Sequence, residues 1–260
     1  MTGRVLVIAG SDSGAGAGIQ ADIKTAMALG AYATTAITAI TAQNTLGVQG
    51  VLPVPPAFLR LQIESVLADI GADAVKTGML GDAATIALVA ELVAPTGLPF
   101  VLDPVMVAKG GARLLAADAV TALTRLLLPL ATLVTPNVPE AEALTGLAIP
   151  DLASMQRAAE ALLALGAPAV LLKGGHMPGE TVTDLLVTQG GTETFQHPRL
   201  PTRHTHGTGC TLATAIAAGL AQGMALSAAV ARARSYVQAA IATAPGLGAG
   251  SGPLNHAAAA

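Results

Sequence analysis

The sequence predicts an α/β fold: a mainly parallel central sheet with helices on both faces. Three observations carry that prediction. Short apolar runs alternate with helical patterns through the first two thirds of the chain, the order expected of parallel strands joined by helical crossovers. Hydrophobic residues make up 52% of the chain and charged residues 11%, which is ample for strands buried on both faces. The residue after almost every apolar run is polar or glycine, which places chemistry at the carboxyl edge of the sheet.

Residues 4–9 form a first buried strand, followed by a Gly-rich turn and a helix over about 19–29. Residues 32–40 read as a second strand, and 41–55 as irregular chain with Pro53, Pro55 and Pro56 as breakers. Leu59, Ile63, Val66, Leu67 and Ile70 then fall at helical spacing. Residues 74–76 give a short strand, and Asp82 caps a helix that runs to Val93. A strand at 99–102, a helix at 117–128, a strand at 132–135 and a helix at 139–144 follow. Asp151 caps a helix with Leu152, Met155, Ala159 and Leu162 on one face, and 169–172 is the next strand. Residues 183–198 read as antiparallel strands, and helices over about 210–222 and 227–242 complete the pattern. The Gly- and Ala-rich stretch from about 246 is open to reading as a loosely ordered end, the reading preferred for residues 257–260. No long polar linker interrupts this order, so residues 1–260 read as one domain.

Composition removes several function classes. No apolar run approaches the ~18 residues of a membrane span. Residues 5–9 are too short for the apolar part of a signal peptide, so the expected location is the cytoplasm. The single cysteine, Cys210, excludes an internal disulfide and a thiolate zinc site. A net charge of −3 without a Lys/Arg run argues against nucleic acid, and the absence of Trp removes the best base-stacking platform. There are only four lysines, Lys24, Lys76, Lys109 and Lys173, against 29 glycines. A bound polyanion would therefore lean on backbone amides in Gly-rich turns.

Six strand ends carry polar or glycine residues: Gly10-Ser11-Asp12, Thr41-Ala42-Gln43-Asn44, Lys76-Thr77-Gly78, Asp103-Pro104, Thr135-Pro136-Asn137 and Lys173-Gly174-Gly175. One polar loop is ordinary, but six on one edge point to a site. Lys109 lies six residues beyond Asp103. Gly16-x-Gly18-x-x-Ala21 fits a dinucleotide fingerprint, but residues 33–45 lack the acidic ribose partner that the fingerprint requires. The turn reads instead as a flexible cover that approaches a ligand closely. Asp22 on the following helix either faces the site or is an ordinary solvated residue.

Gly207-Thr208-Gly209-Cys210 opens a long apolar helix. Successive amides there make an anion hole, aided by the helix dipole. Cys210 at that mouth is expected to ionise below the free value of about 8.5; the alternative is a small buried hydrophobe. Asn137-Val138-Pro139-Glu140 also opens a helix. Glu140 beside an anion site suits Mg²⁺, with Asp103 available to the same ion; alternatively it is a first-turn helix acid. His204 and His206 form an H-x-H without the further ligands that zinc requires. His176 and His256 take no role in this reading.

In this order the pieces resemble the ribokinase-like superfamily, and within it the hydroxymethylpyrimidine and phosphomethylpyrimidine kinases of thiamine synthesis. The resemblance runs from residue 4 to about 256. It rests on Ala9 to Ser13, Gly18 to Asp22, Ala42 to Thr45, Lys76 to Leu80, Asp103 to Met106, Thr135 to Ala141, Lys173 to His176 and Thr205 to Thr211. Cys210 stands where the sugar kinases of the superfamily carry an aspartate base. Ala15 and Gly110 stand where this family usually has Gly and often has Ser. The resemblance implies a three-layer sandwich, a homodimer, and ATP and Mg²⁺ as cofactors. It implies phosphorylation of an aminopyrimidine alcohol and then of its monophosphate. Gly10, Gln43, Asp22, Met79 and Val105 would bind the pyrimidine, with the Gln43 carboxamide pairing to the amino group and adjacent ring nitrogen. Lys173, Asn137 and Thr208 would bind ATP, Asp103 and Glu140 would position Mg²⁺, and Gly207 to Cys210 would form the catalytic hole. A pyridoxal or pyridoxine kinase and a pyrimidine-binding protein without turnover are the alternatives.

Overall fold

In a computed structural model that describes residues 2–106 and 117–258, nine strands form one sheet in the order β3-β2-β1-β4-β5-β6-β7-β8-β9. The strands are β1 (Arg4–Ser11), β2 (Tyr32–Asn44), β3 (Gly47–Pro53), β4 (Ala74–Thr77), β5 (Phe100–Leu102), β6 (Leu133–Val134), β7 (Ala169–Leu172), β8 (Thr181–Thr188) and β9 (Gly191–Pro198). The pairings from β2 through β7 are parallel; β3, β8 and β9 join antiparallel. Lys109 and Gly110 lie outside the described residues.

Alternation along each strand builds the layers. Leu6 and Ile8 of β1 pack into one core with Val75, Phe100 and Leu102. Above them lie α2 (Pro56–Asp69), α3 (Ala83–Val93), α4 (Ala117–Ala122), α5 (Val138–Thr145) and α6 (Leu152–Ala164). Val5, Val7 and Ala9 face the opposite core, under α1 (Gly18–Ala28), α7 (Thr208–Ala221) and α8 (Leu226–Ala242). Asp82 and Asp151 cap α3 and α6, each accepting a backbone amide one turn into the helix. No helix among the described residues is long and apolar enough to cross a membrane.

Three expectations are corrected. Residues 41–55 are not irregular: β2 continues to Asn44 and β3 pairs back onto it. The prolines mark element ends, with Pro53 closing β3 and Pro56 opening α2. β3 is an exposed edge strand, so it lacks the alternation that betrays a half-buried one. The helix expected over 117–128 stops being α-helical after Ala122, passing through a π turn and a 3-10 turn that contains Pro129. Pro129 has no amide to continue the helical ladder.

The tail is the third correction. Leu254 and His256 are buried. Asn255 donates its amide to the Ala240 carbonyl at 3.0 Å, and Tyr236 donates its hydroxyl to the His256 carbonyl at 2.7 Å. Ser251 donates to the Thr45 carbonyl at 2.9 Å, and Gly252 accepts from the His206 amide at 3.1 Å. The glycines serve close approach: a Cβ on Gly250 would lie 2.0 Å from the Thr45 carbonyl oxygen. Composition alone cannot separate that use of glycine from disorder.

Three of the packed elements share one charge pair. Lys76 in β4 donates from Nζ to both carboxylate oxygens of Asp22 in α1, each at 2.9 Å, and neither side chain is exposed. Thr214 in α7 donates to the same carboxylate at 2.6 Å. Burial works against both charges, but the Asp22 carboxylate, helped by Cys210 and Asp103, holds the Lys76 ammonium above its usual range. Lys76→Met should lower stability by about 3–5 kcal/mol, because it strands a buried carboxylate. Adding Asp22→Leu should recover most of that loss. Equilibrium denaturation of the single and double variants checks both, and a double variant no more stable than Lys76→Met would refute this account.

Candidate active site

The parallel strands open at their carboxyl ends into a cavity of about 940 Å³. It overlies the point between β1 and β4 where the chain switches direction across the sheet, the usual ligand position in such sheets. Gly10, Gln43, Met79 and Val105 line it from β1, β2 and the loops after β4 and β5. Asp103, Asn137, Glu140, Lys173 and the Gly207 to Cys210 turn line it as well. Val182, Val237 and Ile241 add apolar lining from β8 and α8. A Cβ on Gly10 would lie 2.5 Å from the Met79 methyl, so a bare backbone is what admits that side chain.

The Gly-rich turn closes on a side chain. Asp12 Oδ1 accepts the Gly14 amide at 2.8 Å. Its Oδ2 accepts the amides of Gly16 at 3.1 Å and Ala17 at 2.9 Å, and lies 2.8 Å from His206 Nε2. Burial pushes the Asp12 carboxyl up, but the bonds from His206, Ala17 and Gly14 prevail and hold it below the usual carboxylate range. The turn is thus tied down rather than a loose cover. Ala15 within it is the only described non-glycine residue at positive φ, 58°.

Asp12 also binds the turn to the start of α7. Gly207 caps that helix at φ 86°, and a Cβ there would sit 1.8 Å from the Gly16 carbonyl oxygen. The first amides of α7 lack intrahelical carbonyl partners. A Cβ on Gly209 would meet Lys173 Nζ at 3.2 Å and Asp103 Oδ2 at 3.6 Å, so this anion hole abuts those two charges. The Thr208 hydroxyl donates back to the Thr205 carbonyl at 2.8 Å.

Adjacent strand ends assemble the charged cluster. Asp103 follows β5, Thr135 follows β6 and Lys173 follows β7. Asp103 Oδ1 accepts from Thr135 Oγ1 at 3.1 Å and from Lys173 Nζ at 3.0 Å. Lys173 Nζ lies 4.0 Å from Glu140 Oε2. Burial opposes the Lys173 charge, but Asp103 and Glu140 hold its ammonium above the usual range. Asn137 and Glu140 form a reciprocal capping box on α5, so Glu140 is a helix-start acid and also a wall of the cleft. Burial pushes it up to about 7 against the pull of Lys173, and the Asp103 charge adds to the rise.

Three sequence expectations fail here. Asp22 is not in the cavity wall; its carboxylate is engaged by Lys76 and Thr214 beneath the floor. Lys76 is likewise a buried strand residue and not a cleft cation. Cys210 lines the cavity, but its thiol is not acidic. Burial pushes it up to about 11, against the pull of the Lys76 ammonium and the Gly18 amide. A helix N-terminus favours the thiolate, but desolvation outweighs it at Cys210. The sequence places Asp12 and Thr41 at the cleft edge without a role, and it does not show the part played by His206. The signal for Asp12 was present: an Asp two residues before a glycine favours local capping of a turn.

The chain was compared with known proteins. A family model described as phosphomethylpyrimidine kinase matches residues 12–255. The chain is 54% identical, over 98% of its length, to the thiamine biosynthesis bifunctional protein ThiED of Geobacter sulfurreducens, and spans 52% of that longer protein. It is 50% identical to the hydroxymethylpyrimidine/phosphomethylpyrimidine kinase of Streptomyces coelicolor, covering 97% of this chain and 93% of that one. Its fold is similar to that of Bacillus subtilis pyridoxal kinase in an ADP complex, with a TM-score of 0.93, 38% identity, and 99% and 98% of the two chains covered. The fold is the ribokinase-like one.

Proposed function

The chain belongs to the phosphomethylpyrimidine kinase family, and on that premise we propose that it phosphorylates 4-amino-5-hydroxymethyl-2-methylpyrimidine with ATP, then phosphorylates the monophosphate to the diphosphate, for thiamine synthesis. The observation that carries this reading is one cavity holding a carboxamide, Gln43, and an anion hole set against Lys173 and Asp103. Gln43 reads the aminopyrimidine edge, while Met79 and Val105 supply the apolar contacts that aromatic stackers give elsewhere. Lys173 and the amides of Gly209 and Cys210 neutralise the transferring phosphoryl group. Catalysis then consists mainly of positioning and charge stabilisation.

Magnesium fits the donors present. Asp103 and Glu140 give a small all-oxygen set, and Glu140 is raised in part by its acidic neighbour, a crowding that a divalent cation relieves. Mg²⁺ prefers a few carboxylates completed by water and phosphate oxygens, and when bound it would offset phosphate charge. Glu140→Gln should lower kcat and raise the magnesium concentration needed for half-maximal rate. A magnesium titration identical to the parent's would leave Glu140 as a helix cap alone.

The two steps make different demands on Cys210. An alcohol must lose a proton, and a positioned base contributes about 10²–10⁴-fold. A phosphate monoester has a second pKa of about 6 and is already largely ionised at neutral pH. Cys210→Ala should therefore slow alcohol phosphorylation far more than monophosphate phosphorylation, since the backbone amide remains. With the thiol at about 11, the thiolate fraction grows about tenfold per pH unit, so the first step should climb without a plateau below about pH 10. ADP release with the alcohol, the monophosphate and pyridoxal, in parent and mutant, measures this. Turnover with pyridoxal alone would overturn the assignment in favour of the vitamer kinase; equal losses in both steps would make Cys210 a shaper of the anion hole.

In the proposed homodimer a second copy of the chain would cover the sheet edge that β3 forms among the described residues. β3 carries Val51 at 48% and Leu52 at 66% exposure beside an unpaired strand edge, a surface that proteins commonly cover. Val51→Asp should convert a dimer to monomer in light scattering; a parent that is monomeric at micromolar concentration rejects the dimer.

A further inference from the structure

Gln43 sits in a closed chain of hydrogen bonds. As placed, its Nε2 lies 3.2 Å from His206 Nε2 and its Oε1 lies 3.3 Å from Thr41 Oγ1. The two ends of a carboxamide have the same shape, so the chemistry of the partners decides which end is oxygen. Asp12 Oδ2, 2.8 Å from His206 Nε2, belongs to a carboxylate that already accepts three backbone amides. A carboxylate only accepts, so the proton lies on His206 Nε2 and goes first to Asp12; that nitrogen then has no lone pair for an amide N–H, and only the Gln43 oxygen, sharing the same hydrogen, sits favourably beside it. Thr41 gives the same answer independently. Its one hydroxyl hydrogen goes to the Ser11 carbonyl at 2.9 Å, so Thr41 Oγ1 accepts and the group facing it must be the Gln43 NH₂. The Gln43 backbone is fixed too: its amide donates to Ser13 Oγ at 2.8 Å, and its carbonyl accepts from that hydroxyl at 2.7 Å.

We infer that His206 and Thr41 are positioning residues that lock the Gln43 carboxamide in one sense, oxygen toward His206 and nitrogen toward Thr41, and so set which pyrimidines the cleft accepts. One N–H and one lone pair of the amide remain for the cavity that Gln43 lines. Read in that fixed order, they match a ring nitrogen beside an exocyclic amine. The 4-oxo analogue presents the reverse, a ring N–H beside a carbonyl, and sets donor against donor and acceptor against acceptor. The amide cannot turn to suit it without breaking its bonds at both ends. His206 itself is held from behind by the tail, through Gly252 and the bridge to Pro253. The H-x-H that suggested no metal thus has one member in substrate selection.

This inference rests on the proposed reading of Gln43 as the pyrimidine contact, and the two fail differently. The experiment measures kcat/KM for the 4-amino alcohol and its 4-oxo analogue in the parent, His206→Leu, His206→Gln, Thr41→Val and Gln43→Leu. The parent should prefer the amine. Either His206→Leu or Thr41→Val should free the amide to turn and reduce that preference by roughly tenfold or more, chiefly through KM of the pyrimidine. His206→Gln, which retains an N–H donor, should restore much of it. A parent without preference, or a preference kept in whichever of His206→Leu and Thr41→Val folds, overturns the inference. If Gln43→Leu leaves kcat/KM for the amine unchanged, the reading of Gln43 itself is wrong.

Discussion

The ion pair of Asp22 and Lys76 is the constraint on which the site depends. It joins α1, β4 and α7 at a point with no exposure, and each of these elements delivers part of the cleft. The Gly-rich turn enters α1, β4 runs into Gly78 and Met79, and α7 begins at the anion hole. A buried pair adds little net stability when compared with well-packed apolar residues. Its contribution is registry: the three elements must meet with the carboxylate, ammonium and Thr214 hydroxyl aligned, or a charge is stranded. The Lys76 ammonium opposes the burial that raises the Cys210 thiol, while the Asp22 carboxylate adds to the rise.

A second tie stands above the first. Asp12 gathers the turn amides of Gly14, Gly16 and Ala17 together with the His206 ring, although these groups lie far apart in sequence. The glycines on both sides allow the contact, since a side chain at Gly207 would collide with the Gly16 carbonyl. The tail closes the arrangement by bonding to Thr45 and His206. This end of the cleft is therefore built from residues near 12, 43, 206 and 252, and only the fold makes them neighbours.

That distance explains what the sequence revealed and what it concealed. The parallel sheet, most of its helices and the residues at the strand ends were legible, because alternation, caps and strand-end glycines are local signals. Gln43, Met79, Asp103, Glu140, Lys173 and the Gly207 to Cys210 turn do line one cavity. β3 was not legible, because an edge strand exposed along its length carries no period. Asp22 and Lys76 were read as cleft residues because a polar side chain at a strand or helix end looks the same whether it faces a ligand or an ion partner. The Cys210 thiol was placed on the wrong side of its free value, because desolvation is a property of packing and no motif displays it.

The raised thiol changes what Cys210 means in a cleft with two acceptors. Asp103 and Glu140 already line the cavity, and in the proposed second step the acceptor itself arrives as a phosphate monoester carrying close to two negative charges. A carboxylate at position 210, as in the sugar kinases, would stand against that acceptor. At 4 Å and an effective dielectric of about 20, each like-charge pair opposes approach by about 4 kcal/mol. A thiol at about 11 is neutral at physiological pH and adds no such repulsion. The same neutrality leaves little thiolate to serve in the base role proposed for the first step. A loose phosphoryl-transfer transition state asks little of the base before the bond to the leaving oxygen has lengthened, so that shortage is tolerable in the first step. If the cleft takes both acceptors as proposed, a cysteine at the mouth of the hole suits the second, because a neutral thiol does not repel a phosphate.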